Sequence, residues 1–160
     1  MNFPITPAIR VLREKKIDFE PHVFEYVEKG GTRHSAEVLK VSEHAVVKTL
    51  IFETNEKKSL IILQHGDAQV SAKSLARILN VKSVAPVAPE KANKLTGYLV
   101  GGTSPFGVKT KMPIYAEKTI FDLPRIFING GKRGFLVAIE PRVLREVLKV
   151  EEVEVKQNAD

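Results

Sequence analysis

"RIFINGGKRGFLVAIE", residues 125–140, is the stretch that decides the fold. Two strand-like apolar runs, "RIFIN" and "FLVAIE", flank "GGKRG" at 130–134. A connection that short and glycine-rich predicts an antiparallel hairpin. A doubly wound parallel sheet needs strands and helices in strict alternation, so the hairpin turns the reading toward a compact α+β domain.

Upstream, "TPAIRVLREKK" reads as a helix, with Thr6 as cap, Pro7 in the first turn and Ala8, Ile9 and Leu12 on one face. "DFEPHVFEYV" reads as extended, and Pro21 within it points to an edge position. "GGTRHSAEVLK" reads as a loop entering a short helix near Ser35, and Ser42 as the cap of a further turn. "VVKTLIFE" and "LIILQ" are strands joined by the turn "NEKKS". "SAKSLARILN" has helical spacing behind a Ser71 cap, followed by a short strand "SVAPV" and a proline-initiated helix "PEKANKL". "MPIYA" is strand-like, and "PRVLREVLK" closes the pattern as a helix. Residues 1–150 are expected to form one domain and 151–160 an acidic C-terminal tail.

Composition sets limits on function. There is no cysteine, which excludes disulfides, zinc-thiolate sites and cysteine nucleophiles. The N-terminus lacks a signal-peptide pattern and no apolar run is of membrane-spanning length, so a cytoplasmic location without membrane contact is expected. The chain carries +6 overall; the last ten residues hold four acids and one lysine, which leaves residues 1–150 at +9. Such a balance favours a polyanionic partner.

A second glycine-rich stretch, "TGYLVGGTSPFG" at 96–107, resembles two motifs and fulfils neither. Gly102 and Gly107 have phosphate-loop separation, but Val108 stands where lysine is needed. Gly102-Thr103-Ser104-Pro105-Phe106 fails the hydrolase elbow at its last position. His22, His34, His44 and His65 show no spacing that identifies a base, and His34 with Glu37 makes no metal motif. No metal or cofactor is expected. What remains is two glycine loops, whose amides can stabilise an oxyanion, and Lys48 in an apolar strand. Lys48 either snorkels to water or faces a functional cleft, because burying an unpaired ammonium is costly. Lys132 and Arg133 either grip phosphate or cap a solvent-facing hairpin.

"TPAIRVLREKKIDF", "VVKTLIF", "TGYLVGGTSPFG" and "GGKRGFLV" occur in the order seen in the YbaK/EbsC family, which is similar to the editing domain of bacterial prolyl-tRNA synthetases. The resemblance runs from about residue 5 to residue 150. It implies a mixed, largely antiparallel sheet curled into a partial barrel with surrounding helices, and a free-standing enzyme that edits mischarged tRNA(Pro). In the Cys-tRNA(Pro) deacylase subgroup the strand lysine, here Lys48, is central to activity. The resemblance implies catalytic roles for Lys48, Gly101 and Gly102, and substrate contacts from Phe24, Thr49, Thr103, Ser104 and Leu136. Lys109, Lys111, Lys132 and Arg133 flank the loops as candidate tRNA contacts. The tRNA(Pro) acceptor end is the implied partner, with prolyl-tRNA synthetase a second candidate. In that subgroup the cysteinyl thiolate attacks its own ester carbonyl and leaves as a thiolactone, so the protein orients rather than attacks. Cysteine-specific relatives often carry Tyr where this chain has Phe24, and Asp or another polar residue where it has Leu136. Both departures remove polarity and bear on which amino acid is removed. Hydrolytic release of alanine or another small amino acid, and a non-catalytic module that only binds tRNA or a synthetase, are the alternatives.

Overall fold

The computed structural model describes residues 2–158. Helix α1 (Pro7–Glu14) starts where its residues require: the Ile9 N–H donates to the Thr6 hydroxyl at 3.1 Å, and Ala8, Ile9 and Leu12 are fully buried. Strand β1 (Glu20–Val23) follows, then helix α2 (Gly31–Leu39). Helix α2 begins at Gly31, ahead of the expected start near Ser35. Ser35 lies inside its first turns, where its hydroxyl donates to the Gly31 carbonyl at 3.2 Å rather than capping. A 3-10 turn at Glu43–Ala45, capped by Ser42, leads into β2 (Val46–Thr54) and β3 (Ser59–His65). Then come α3 (Ala72–Leu79), capped by Ser71, β4 (Val84–Pro86) and α4 (Pro89–Thr96). The chain finishes with β5 (Ile114–Glu117), β6 (Ile126–Lys132), β7 (Phe135–Ile139), α5 (Arg142–Leu148) and β8 (Glu151–Val153).

The hairpin forms as predicted, with β6 antiparallel to β7. Its register shifts between Asn129, opposite Leu136, and Lys132, opposite Phe135, so the strand bulges at the two glycines. The eight strands make one mixed sheet in the order β1-β7-β6-β2-β3-β5-β8, with β4 also on β2. It curls without closing. Strand β1 pairs only with β7, and this edge place is what lets Pro21 sit in it. The main core lies between α1, α5 and the concave face, around Ile9, Leu12, Ile61, Leu63, Phe106 and Val137.

The C-terminal segment does more than trail as an acidic tail. Strand β8 runs parallel to β5, and Val153 and Val155 are buried while Glu151, Glu152 and Glu154 face water. Residues 159–160 of the expected tail lie outside the described residues. The segment is held by a buried carboxylate: one oxygen of Glu117 accepts from the Gln64 side chain and from the Val155 N–H, both at 2.9 Å. Removing it strands two buried donors, each costing about 1–3 kcal/mol. Glu117→Ala is therefore expected to lower stability by roughly 2–5 kcal/mol in a urea melt. A loss under about 0.5 kcal/mol, the usual surface effect, would remove the anchor role.

Candidate functional site

The site begins with a gap in the sheet. On one edge of β2, Val46 and Val47 pair with β6, and Phe52–Thr54 pair with β4. Between them, among the described residues, 48–51 have no strand partner on that edge; the Val87 N–H reaches the Ile51 carbonyl at 3.1 Å. Backbone groups alternate along a strand, so the Thr49 N–H and C=O point to the same open edge as the Ile51 carbonyl. The gap opens into a cleft of about 1180 Å³, walled by α2, by β2 and by the two glycine loops. Lys48 and Thr49 line it, and the Thr49 hydroxyl oxygen is buried with no hydrogen-bond partner among the described residues.

Lys48 is partly buried, and desolvation holds its ammonium below the ordinary lysine value, against a smaller opposing pull from Glu43 and Asp67. It lines the cleft, one of the two environments left open by the sequence. Glu43 is held in turn: the Thr32 hydroxyl on α2 donates to Oε2 at 2.7 Å. Phe24 and Leu136 form an apolar wall of the cleft, and Leu136 is only 5% exposed among Ala36, Val46, Phe127 and Ala138.

The two glycine loops lock against each other. The Asn129 side-chain oxygen accepts from the Gly131 and Lys132 N–H groups, at 2.6 and 3.1 Å, which holds the bulge. Its amide nitrogen donates to the Gly101 carbonyl at 3.2 Å, joining bulge to loop. Arg133 reinforces the seam by donating to the Val100 carbonyl at 2.9 Å while its guanidinium lies over the Tyr26 ring. A Cβ on Gly102 would stand 2.7 Å from the Arg133 nitrogen, so only glycine lets the backbones come this close. Gly101, at φ +93°, presents its backbone to the cleft.

One further cluster adjoins the site. His44 and His65 stack with ring centroids 3.7 Å apart, and with Asp67 they bring ligand-type atoms within 4.8 Å of one another. Their bonds are already made. Burial lowers the His65 pKa; the neutral ring donates from Nδ1 to the His44 carbonyl and accepts at Nε2 from Thr119, both at 2.7 Å. His44 Nδ1 sits 3.1 Å from Asp67. A metal bound through His65 would have to displace one of that ring's two contacts.

The cleft thus combines a split strand edge, a desolvated lysine and two interlocked glycine loops. The family model for the aminoacyl-tRNA editing domain matches residues 31–147, from the start of α2 into α5. This chain belongs to that family. It is 26% identical over 140 residues to an Enterococcus faecalis protein named "Putative Cys-tRNA(Pro)/Cys-tRNA(Cys) deacylase EbsC", covering 87% of this chain and 85% of that one. It is 27% identical over 86 residues to a proline–tRNA ligase of Brachyspira hyodysenteriae, where the match spans 54% of this chain and 15% of the ligase. A crystal structure of "a putative trans-editing enzyme for prolyl tRNA synthetase" superposes with a TM-score of 0.82 at 18% identity, covering 97% of this chain and all of that one. That likeness shows the shared fold.

Within this editing domain the residues singled out in the sequence divide by position. Lys48, Thr49, Phe24, Leu136, Gly101, Thr103 and Arg133 line the cleft. Gly102 is buried behind them, its N–H closing a turn on the Leu99 carbonyl at 2.8 Å. Ser104 is fully buried, its hydroxyl oxygen accepting from the Phe106 N–H at 3.1 Å. Lys109, Lys111 and Lys132 are exposed outside the cleft lining. Sequence reading missed Glu43, Thr32, Tyr26 and Asn129. Only Asn129 carried a signal, as the polar residue opening the glycine turn.

Desolvation as the leading influence on Lys48 has a consequence for stability. The folded pKa lies below the value of 10.5 for a free lysine, so the unfolded chain binds this proton more tightly. The group thus costs stability while charged in the fold, and the cost fades as pH rises through the folded pKa toward 10.5. Lys48→Met is expected to melt at or above the wild-type temperature near pH 7, with the difference shrinking at pH 10. A melting temperature several degrees lower would make Lys48 a structural residue.

Proposed function

We propose that this protein edits mischarged tRNA(Pro) in trans, with Cys-tRNA(Pro) as its principal substrate. The observation that carries the reading is the desolvated Lys48 ammonium at the open edge of β2, facing a cleft bounded by the Gly101 loop. A cleft of about 1180 Å³ accommodates an aminoacylated adenosine, beyond the usual 300–1,000 Å³ of small-molecule sites. The name carried by the Enterococcus relative supports cysteine as the amino acid.

The chemistry follows from what the site offers. Ser104 is sealed in the loop, so it is poorly placed to attack, and the chain has no cysteine. The substrate thiolate is the nucleophile that fits: its sulfur bonds to the ester carbon, the bond to the ribose oxygen breaks, and that oxygen takes a proton from water. The products are a cyclic thiolactone and free tRNA. Lys48 offsets negative charge on the reacting ester or the terminal phosphate. The Gly102 N–H is committed to its turn, so the N–H groups of Gly101 and Thr103, two residues that line the cleft, are the loop's candidate oxyanion donors, unbonded among the described residues. Such pre-organised groups are each worth about a hundredfold in rate or more. A second reading, hydrolysis of Ala-tRNA(Pro), draws on the apolar Phe24 and Leu136 wall, which suits a methyl side chain.

The test is to charge tRNA(Pro) separately with Cys, Ala, Ser and Pro and follow each ester. Fastest loss of Cys with early thiolactone is expected, and Lys48→Ala should slow it about a hundredfold or more. Fastest loss of Ala, with oxygen from solvent in the product, would establish the second reading. Loss of none of the four would overturn both and leave a binding module.

The electrostatic side has its own measurement. Affinity for tRNA is expected to fall steeply with salt because the first 150 residues carry +9. Replacing Lys109, Lys111, Lys132 and Arg133 by Ala should flatten the log–log slope by roughly 0.7–0.9 per lost phosphate contact. An unchanged slope would move the tRNA footprint to another face.

A further inference from the structure

Lys48 shares its cleft with a carboxylate that it does not bind directly, and the two acids near it differ in how they are occupied. Asp67 is outside the cleft lining, and its Oδ1 lies 3.1 Å from His44 Nδ1. Glu43 lines the cleft. Thr32 donates to Glu43 Oε2, and among the described residues Oε1 accepts no hydrogen bond. Thr32 is itself fixed by close packing: a Cβ on Gly66 would lie 2.7 Å from its Cβ, so the α2 terminus is pressed onto the end of β3. Glu43 is therefore a positioned, partly buried carboxylate with one oxygen free, in the same cleft as Lys48 and near enough to act on its charge.

An aminoacyl ester brings its own cation. Its α-amino group has a pKa at or below the roughly 7.7–8.0 of a peptide N-terminus, so a substantial fraction is protonated around neutral pH. Placing that ammonium in a partly desolvated cleft beside the Lys48 ammonium is repulsive unless an anion lies close by. Of the two carboxylates that line the cleft, Glu28 is exposed and Glu43 is the one that acts on Lys48, so the free oxygen of Glu43 is the missing acceptor. We propose that Glu43 recognises the substrate's α-ammonium, which makes this site selective for aminoacyl esters with a free amine over N-acylated esters such as peptidyl-tRNA. Lys48 and Glu43 then form a charge pair complementary to the substrate, the ammonium toward ester and phosphate oxygens and the carboxylate toward the amine. This inference rests on the editing function proposed above and adds the substrate's amine to it.

The test compares Cys-tRNA(Pro) with N-acetyl-Cys-tRNA(Pro) on the wild type and on Glu43→Gln, which keeps an acceptor for Thr32 and removes only the charge. The wild type is expected to prefer the free amine. Glu43→Gln should cut kcat/KM for Cys-tRNA(Pro) by about 10- to 100-fold, the worth of a charge-assisted hydrogen bond, and leave the acetylated substrate nearly unchanged. Equal losses on both esters would mean that Glu43 acts through Lys48, and would overturn the inference. Glu43→Asp, which retains the charge, should keep part of the preference and serves as the comparison if Glu43→Gln folds poorly. A binding arm separates this inference from the proposed reaction: 3′-cysteinylamino-3′-deoxyadenosine, an amide that cannot turn over, is titrated by calorimetry with its amine free or acetylated. Tighter binding of the free amine that disappears in Glu43→Gln supports the role even if no ester is cleaved. Equal binding of the two analogues to the wild type sinks it whether or not the esters are cleaved.

Discussion

Strand β2 is paired on one edge by two different strands that never meet, and the site depends on that constraint. Strand β6 pairs only with Val46 and Val47, and β4 joins at Phe52. The four residues between them are held on the other edge by β3, with Lys48 opposite Gln64 and Ile51 opposite Ile61. They are thus rigid on one side and open on the other. An unpaired edge inside a folded sheet exposes backbone donors and acceptors that need partners. In this chain the opening is walled by α2 and the glycine loops, so a ligand rather than another strand can complete it.

Two devices keep that opening in shape. The bulge in β6 turns Gly130 and Gly131 out of the ladder, and Asn129 satisfies the Gly131 and Lys132 amides while reaching across to the loop at Gly101. The loop is braced from within by Tyr98, whose hydroxyl donates to the Phe106 carbonyl at 2.5 Å, and by Ser104, which accepts from Phe106. Small residues at the seam allow close approach; polar side chains hold it. The loop that resembled a phosphate cradle and a hydrolase elbow is in this sense neither. Its Ser104 is a brace, and its glycines are contact points.

Much of the fold was legible because local chemistry and tertiary packing agree. Thr6 and Pro7 start α1, Ser71 starts α3, and Pro21 lies in an edge strand, each for the reason read from the residue itself. Where they disagree, tertiary contacts decide. The sequence predicts a helix start near Ser35, but the close packing of Thr32 against Gly66 belongs to a helix that starts earlier. The acidic run after residue 150 hid Val153 and Val155, whose alternation with Glu152 and Glu154 is a strand signal overshadowed by charge. At the site, composition and spacing reached Lys48 and the glycine loops but left Lys48 between two environments, and the resemblance supplied the roles. Glu43 could not be found from spacing. It stands five residues before Lys48, and nothing local says that a 3-10 turn brings it back beside the strand.

The balance of charge in the cleft accounts for why a costly lysine can persist there. A structural lysine in an apolar strand would lower its cost by reaching water or by pairing directly with an acid. Lys48 does neither fully: desolvation outweighs its two acidic neighbours, and Asp67 is drawn away by the stacked histidines. Groups held short of their best partners are characteristic of sites that wait for a ligand. On the proposed function the missing interactions are those the substrate brings. Phosphate and ester oxygens would complete Lys48, and an amine would complete Glu43. The apolar wall of Phe24 and Leu136 can add only weak discrimination, about 1–3 kcal/mol for a methylene-sized difference. A site built this way recognises the charged frame common to all aminoacyl esters more strongly than it recognises any one side chain. If the thiol is itself the attacking group, selectivity for cysteine needs no cysteine-shaped pocket, because other bound esters lack the nucleophile.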